Sequence, residues 1–315
     1  MTPTVSVIIP VYRGQRHLEA NLPSLLAAAR RRGGLEVIVV DDGSADGTPE
    51  FLVDRFPQVT VLALEANRGF AGACNAGAHA ARGEIVYFLN SDARGVEGFL
   101  EPVLGAVSDP TVFAVGSREI GSDGEGSVTV PVPFFRFGLF GHRYCGTAGM
   151  PSSPIPSLFV SAGHAAFSRE KFLLLGGFDD LYRPFYWEDI DLCYRAWRRG
   201  WRVLLHPESR VQHAGQGTIG RFYGPATIQS IYWKNRFLFF WKNVRDAGFM
   251  AAHLAALPLL LAGLPVVKGR AVLMGFARAL GQLGEALRKR REQRGSPWIS
   301  DRQILDLFSD RPGAR

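Results

Sequence analysis

The most constraining stretch of this 315-residue chain is 85–92, where Ile85, Val86, Tyr87, Phe88 and Leu89 run straight into Asn90-Ser91-Asp92. A short apolar run rich in β-branched and aromatic residues reads as a strand buried on both faces, the setting of a parallel sheet. It ends in a carboxylate. In an open α/β sheet, ligands gather beyond the carboxyl ends of the strands, so Asp92 is expected where a ligand lies. Asn-Ser-Asp alone is ordinary turn chemistry. What argues for more is that a second apolar run ends alike: 35–40 leads into Asp41-Asp42-Gly43-Ser44, while 4–11 leads into Tyr12-Arg13-Gly14.

Between these runs the apolar period changes. Leu18, Leu22, Leu25 and Leu26 give helical spacing over 17–32, closed by Gly33-Gly34. Further helices are expected over 48–56, 73–81, 95–107 and 171–176, and strands over 59–64, 112–117, 157–168 and 201–205. Pro10 is expected to end pairing of the first strand, because it has no N–H to donate. The small side chains of 73–81 should let neighbouring backbone approach closely. Alternation of strand and helix predicts an α/β doubly wound sheet, mostly parallel and twisted, flanked by helices. Residues 118–157 are rich in Gly, Ser and Pro, with Phe134, Phe135, Phe137 and Phe140, and read as a long, partly mobile insertion beside an acceptor site. Trp187-Glu188-Asp189-Ile190-Asp191 opens a helix that stops at Gly200, and Val211-Gln212-His213-Ala214-Gly215 follows the last strand. The expected division is 1–223, an α/β domain, and 224–315, a helical, basic and apolar region.

Composition bounds the partners. Hydrophobic residues at 47% and charged residues at 21% exclude a disordered chain. A net charge of +7 favours an anionic partner, but no aromatic-interleaved basic patch points to nucleic acid. Cys74, Cys145 and Cys193 show no zinc or redox spacing, which fits a reduced cytoplasmic setting. No basic segment precedes an apolar one at the start, so no signal peptide is expected. Residues 247–267 hold no formal charge and are long enough for a membrane crossing, although Pro258, Pro265 and His253 count against one. Residues 268–294 alternate apolar and basic side chains, the pattern of a helix lying in a membrane interface. The alternative is a helical hairpin packed on the main domain or on another subunit of a homo-oligomer.

Pro10-Val11-Tyr12, Asp41-Asp42-Gly43-Ser44, Asn67-Arg68-Gly69-Phe70, Asn90-Ser91-Asp92 and Trp187-Glu188-Asp189 occur in that order. Together they resemble the inverting GT-A glycosyltransferases of family 2, and within it the bacterial rhamnosyltransferase-like branch that builds cell-surface polysaccharide. The resemblance covers about residues 1–245. Each motif is weak alone; the ordered set, mostly at strand ends, is specific. It implies a GT-A fold with a helical C-terminal extension, and the transfer of a sugar, rhamnose in that branch. The donor would be dTDP- or UDP-linked, and the acceptor a hydroxyl of a lipid-linked or polysaccharide molecule. The enzyme would be cytoplasmic, peripheral at the inner face of the membrane.

The resemblance also implies roles. Asp42 would accept a hydrogen bond from the base imide, over a loop of Pro10, Val11 and Tyr12. Asn67, Gly69 and Asn75 would complete the nucleotide pocket, and Arg68 is either a phosphate contact or a solvated side chain. Asn90, Ser91 and Asp92 stand in the place of an Asp-x-Asp that holds the diphosphate with a divalent metal, Mn²⁺ or Mg²⁺. Here the first acid is Asn90, which leaves one carboxylate fewer. His213 would then be the second metal ligand, tilting the choice toward Mn²⁺; otherwise it is a hydrogen-bonded loop histidine. Asp189 would be the general base, Glu188 would bind the acceptor, and Trp187 would stack on a sugar face. Against these stand simpler roles: Asp41 and Asp42 as turn and cap residues, and Glu188, Asp189 and Asp191 as complements to a helix N-terminus. Two rival functions remain. A sugar-nucleotide nucleotidyltransferase needs a glycine-rich basic loop after the first strand, and 10–16 has only Gly14. A non-catalytic membrane-associated scaffold sits poorly with intact Asp92, Glu188 and Asp189.

Overall fold

The computed structural model describes residues 4–121, 124, 128–147, 151–213, 220, 222–293 and 299–310. Four parallel strands form one half of the central sheet: β1 (Val5–Val11), β2 (Leu35–Asp41), β3 (Thr60–Ala63) and β4 (Ile85–Leu89). The other half holds β5 (Ala93–Gly95), β6 (Val112–Ile120), β9 (Ile155–Pro156), β10 (His164–Ser168) and β11 (Arg202–His213). Their order is β3-β2-β1-β4-β10-β6-β11-β5, with β9 paired to β11, nine strands among the described residues. Strand β10 runs antiparallel between β4 and β6, while β11 returns parallel to β6.

Alternation along the strands divides the core into two layers. Ile8, Ile38, Val40, Val86 and Phe88 pack on one side. There they meet α3 (Gly69–Ala80), α5 (Arg169–Leu174), α6 (Glu188–Arg198) and α7 (Pro225–Asn243). Val7, Ile9, Val37, Val39, Tyr87 and Leu89 pack on the other side. Their partners are α1 (Gln15–Arg32), α2 (Thr48–Arg55) and α4 (Leu100–Val107). Small residues in α3 do permit close approach: a Cβ on Gly77 would lie 2.4 Å from Ile8 Cγ2.

Several boundaries differ from the sequence expectation. Pairing of β1 with β2 runs through Pro10 to Val11, while pairing with β4 stops at Ile8, so the proline falls where one neighbour is absent. Residues 93–95 form β5, and α4 starts only at Leu100. Strand β11 is continuous to His213, absorbing Pro207 in an irregularity between His206 and Arg210. Ala214 and Gly215 lie outside the described residues.

The expected mobile insertion contains an ordered hairpin, β7 (Thr129–Arg136) and β8 (Leu139–Gly146). Its two-residue turn, Phe137-Gly138, has φ of 51° and 70°, the twist that joins antiparallel strands without splaying them. The aromatic residues are mostly packing groups: Phe140 lies 5.1 Å from Phe239, and Phe135 stacks 4.2 Å from Phe249.

Beyond α7 come α8 (Ala247–Lys268), α9 (Ala271–Gly281), α10 (Leu283–Glu292) and α11 (Asp301–Asp306). No helix of the described residues is long and apolar enough to cross a membrane. Helix α8 is anchored to the protein by His253, while Leu254 and Leu259 of the same helix stay exposed. Fully buried, His253 donates from Nδ1 to Gly138 O at 2.7 Å and accepts the Trp241 indole N–H at 3.1 Å. Helix α9 crosses α7 tightly, because a Cβ on Gly275 would lie 2.6 Å from that of Trp233. Helices α9 and α10 thus pack on α7, with Lys289 reaching Asp179, and leave Leu273, Met274, Leu280 and Leu287 exposed.

Candidate active site

The parallel strands β1, β2, β4, β6 and β11 present their carboxyl ends at one rim. Strand β10, running the other way, starts there with His164 opposite Leu89. Pairing of β5 with β11 sets His213 against Ala93, next to Asp92. Asp92 Oδ1 and His213 Nε2 are 3.1 Å apart. The far side of the ring faces Glu119 at the end of β6, with His213 Nδ1 3.7 Å from Oε1. Glu119 Oε2 is in turn 3.7 Å from His164 Nε2. Asn90 Nδ2 lies 3.4 Å from His213 Nε2. Burial pushes Asp92 up, but the hydrogen bond and charge of His213 outweigh it and hold the carboxyl below its ordinary range. The hydrogen bond from Asp92 raises His213 against the effect of burial.

Helix α6 brings its N-terminus to the same rim. Trp187 and Tyr186, which precede it, have φ of 78° and 68°. Burial pushes Glu188 up to about 8, aided by the charge of Asp189, and leaves its Oε2 without a hydrogen-bond partner. Burial also raises Asp189, to about 6, against the N–H of Ile190, which donates to its Oδ1 at 2.7 Å, and against the charge of His164. The two carboxyls titrate as a pair, both raised by burial, so that protonation of one is favoured while the other is charged. Tyr144 of β8 keeps much of its ring exposed, yet partial desolvation and then the Asp189 charge push its hydroxyl up to about 12. Trp187 is 1% exposed and packs on Tyr232 and Phe239, so no indole face is open to a sugar, which corrects that expectation.

The raised Glu188 makes a stability prediction. Its neutral form stabilises the fold fully below the ordinary carboxylate range, and that contribution is lost as pH rises through about 8. Glu188→Gln should therefore match wild type in thermal unfolding at acid pH and exceed its melting temperature above pH 8. Melting curves that stay parallel across pH would contradict this.

On the nucleotide side, both oxygens of Asp42 cap α3. Oδ1 accepts the Arg68 N–H at 2.7 Å and Oδ2 the Gly69 N–H at 2.9 Å. Burial, opposed by these bonds, raises its carboxyl. Asp41 Oδ2 accepts the Ser44 N–H at 3.2 Å. The cap role thus applies to Asp42, and each oxygen retains a lone pair for a ligand. Asn67 Oδ1 also accepts from Gly69, at 3.1 Å. Pro10 and Val11 are buried beneath Tyr12, whose ring lies 6.1 Å from that of Phe222. The Ser91 carbonyl accepts from Asn21 Nδ2 at 2.8 Å. Asn75 links α3 to the next turn: its Nδ2 donates to Phe178 O at 2.8 Å and its Oδ1 accepts the Phe178 N–H at 2.9 Å. Each end thus makes one bond that pins the 177–178 turn to α3, with a second N–H and a second lone pair left over.

The sequence profile described as glycosyl transferase family 2 matches residues 6–174, more than half of the chain. The chain belongs to glycosyl transferase family 2. It is 29% identical over 266 residues to the N-acetylglucosaminyl-diphospho-decaprenol L-rhamnosyltransferase of Mycobacterium tuberculosis, covering 76% of this chain and 84% of the relative. GalNAc-T7, solved with UDP, GalNAc and Mn²⁺, superposes with a TM-score of 0.66 at 18% identity, over 99% of this chain and 58% of the other. Mannosyltransferase PcManGT from Pyrobaculum calidifontis, solved with GDP-Man and Mn²⁺, gives 0.56 at 20% identity over 94% and 89%. These likenesses establish the GT-A fold.

As a family 2 glycosyltransferase, the chain leaves the nucleotidyltransferase and scaffold readings without support. Asp92 and His213 reach Glu119 and, through it, His164, whose charge acts on Asp189 at the start of α6, while Asp42 follows β2, two strands from β4. Glu119, His164 and Tyr144 were not anticipated. Among the described residues no three His, Cys, Asp or Glu side chains form a ready metal cage. The Asp92–His213 pair nevertheless fits a divalent ion. The pair offers one carboxylate oxygen and one imidazole nitrogen, now 3.1 Å apart and hydrogen-bonded to each other, as donors to such an ion. Two protein ligands, with substrate phosphates completing the shell, are the usual pattern for such ions.

Proposed function

We propose that this glycosyltransferase moves a sugar, rhamnose, with inversion from a dTDP- or UDP-linked donor to a hydroxyl of a lipid-linked acceptor in cell-surface glycan synthesis. The observation that supports the reading is the Asp92–His213 contact at the rim, linked through Glu119 and His164 to the raised carboxyl of Asp189. A divalent ion held by Asp92 and His213, Mn²⁺ before Mg²⁺, would neutralise charge growing on the leaving diphosphate. Asp189, ionised near neutral pH, takes the proton from the acceptor hydroxyl as it attacks the sugar carbon. Glu188, still protonated, donates a hydrogen bond to the acceptor and so orients it. Asp42, Asn67 and Gly69, with the loop of Pro10, Val11 and Tyr12, frame the nucleotide, and Asn90 and Ser91 its diphosphate. The named substrate of the mycobacterial relative supports a lipid-linked acceptor.

A thermal-shift screen of nucleoside diphosphate sugars with Mn²⁺ or Mg²⁺ tests the donor. A metal-dependent shift by dTDP-rhamnose above that by other sugars is expected. Equal shifts by all sugars, or none, would remove the rhamnose reading. The same proposal places the enzyme peripherally at the cytoplasmic membrane surface. Leu254, Leu259, Leu273, Met274, Leu280 and Leu287 of α8–α10 are exposed, and Arg288 and Arg291 lie on the same basic segment. Flotation with anionic vesicles checks this; a chain that stays unbound and sediments as a homo-oligomer favours subunit packing instead.

A further inference from the structure

The segment 179–187 feeds α6, and its last two residues are strained. Tyr186 and Trp187 carry Cβ atoms yet sit in the left-handed region, at φ of 68° and 78°. Such backbone persists only where its surroundings hold it. Helix α7 supplies the hold. Asn235 is fully buried, and its Nδ2 lies 2.6 Å from Tyr182 O, 2.9 Å from Phe185 O and 2.8 Å from Tyr186 O. One NH₂ group, with two hydrogens, thus serves three carbonyls of a single turn. Lys234, next to it, donates to Arg183 O at 2.6 Å. The foot of the segment is tied by Asp179, which accepts from Lys242 of α7 and from Lys289 of α10, each at 2.6 Å.

We propose that Asn235 is a positioning residue for sugar transfer: by gathering the Tyr182, Phe185 and Tyr186 carbonyls it fixes the left-handed turn that aims Glu188 and Asp189 at the rim. Helix α7 then belongs to the catalytic apparatus and is no mere support for the C-terminal helices. The inference rests on the reading of Asp189 as the base. Without the amide, the turn relaxes toward ordinary backbone angles and the carboxylates leave their positions. A displacement of about 1 Å at a reacting group can cost on the order of 10²-fold in rate.

The test compares Asn235→Ala with Phe237→Leu. Phe237 is a fully buried neighbour on α7 whose ring contacts are with Trp233, Trp241, His253 and Phe276 rather than with the turn. Asn235→Ala should lower kcat on the order of 10²-fold with donor KM within about two-fold, while Phe237→Leu keeps kcat within about three-fold. An equal loss of kcat in both variants would overturn the inference. If Asn235→Ala does not fold, Lys234→Met takes its place, with a smaller kcat loss expected and an unchanged kcat contradicting the proposal. A crystal structure of Asn235→Ala supplies an arm independent of activity. Tyr186 and Trp187 should leave the left-handed region; an unmoved turn refutes the role of Asn235 even if the wild type proves to transfer nothing, a result that would instead sink the functional reading.

Discussion

Replacing Asp189 with Asn is expected to lower kcat for sugar transfer on the order of 10³-fold, the scale of a lost general base. Donor affinity should stay within about two-fold, because the base meets the acceptor and not the nucleotide. The substitution is nearly isosteric. Asn keeps an Oδ1 that can accept the Ile190 N–H, the contact Asp189 makes at 2.7 Å, so α6 should start unchanged. What is removed is the charge. The pH profile gives a second reading of the same effect. Since burial raises Asp189 to about 6, wild-type kcat/KM should climb as pH rises through that value and the carboxyl ionises. In Asp189→Asn the residual rate should lack that limb. Retained turnover with the limb intact would assign the base elsewhere.

The second large effect is expected at Asp92. With Asn90 in the place of the first acid, Asp92 is the one carboxylate of that motif. Asp92→Asn removes the negative ligand and should weaken Mn²⁺ binding, measured by electron paramagnetic resonance with UDP present, by more than the roughly 10- to 100-fold typical of losing an outer-shell partner. Activity should fall with it and be abolished by EDTA in the wild type. The reverse substitution is equally informative. Asn90→Asp restores the acidic pair beside His213, where the amide now sits 3.4 Å from Nε2, and should tighten Mn²⁺ binding. Unaltered ion affinity in both variants, together with EDTA-insensitive transfer, would remove Asp92 and His213 as ligands.

The rim was legible because parallel strands buried on both faces announce themselves as apolar runs, and the residue after each run must lie at the sheet's edge. That logic placed Asp42 and Asp92 from sequence. It stopped short at β6, where the polar Arg118 and Glu119 read as the end of the strand. They are instead paired with Arg210 and Val211 of β11, which carries Glu119 to the site. The true start of α3 at Gly69 is hidden in the sequence because its first N–H groups are capped by Asp42, 27 residues earlier for Gly69, a contact no local pattern contains. The hairpin was hidden by Pro131 and Pro133, which a two-stranded ribbon tolerates on its open side, and by a Phe137-Gly138 turn without the usual Asn or Asp. Trp187 and Asn75 carry the right chemistry for a pocket. Tertiary packing turns Trp187 into the core and ties Asn75 to the Phe178 backbone, and neither contact is written in their neighbours.

The most direct test is a crystal structure with a nucleoside diphosphate and Mn²⁺. The nucleotide is expected between Asp42 and Asp92, its diphosphate at the Asp92–His213 pair and Asp189 facing the open side of the cleft. A groove of about 530 Å³ lies at the opposite end of the sheet, lined by Thr4, Gly34, Gln58 and Arg82 among others. A nucleotide bound there, with Asp189 turned away from Asp92, would contradict the account.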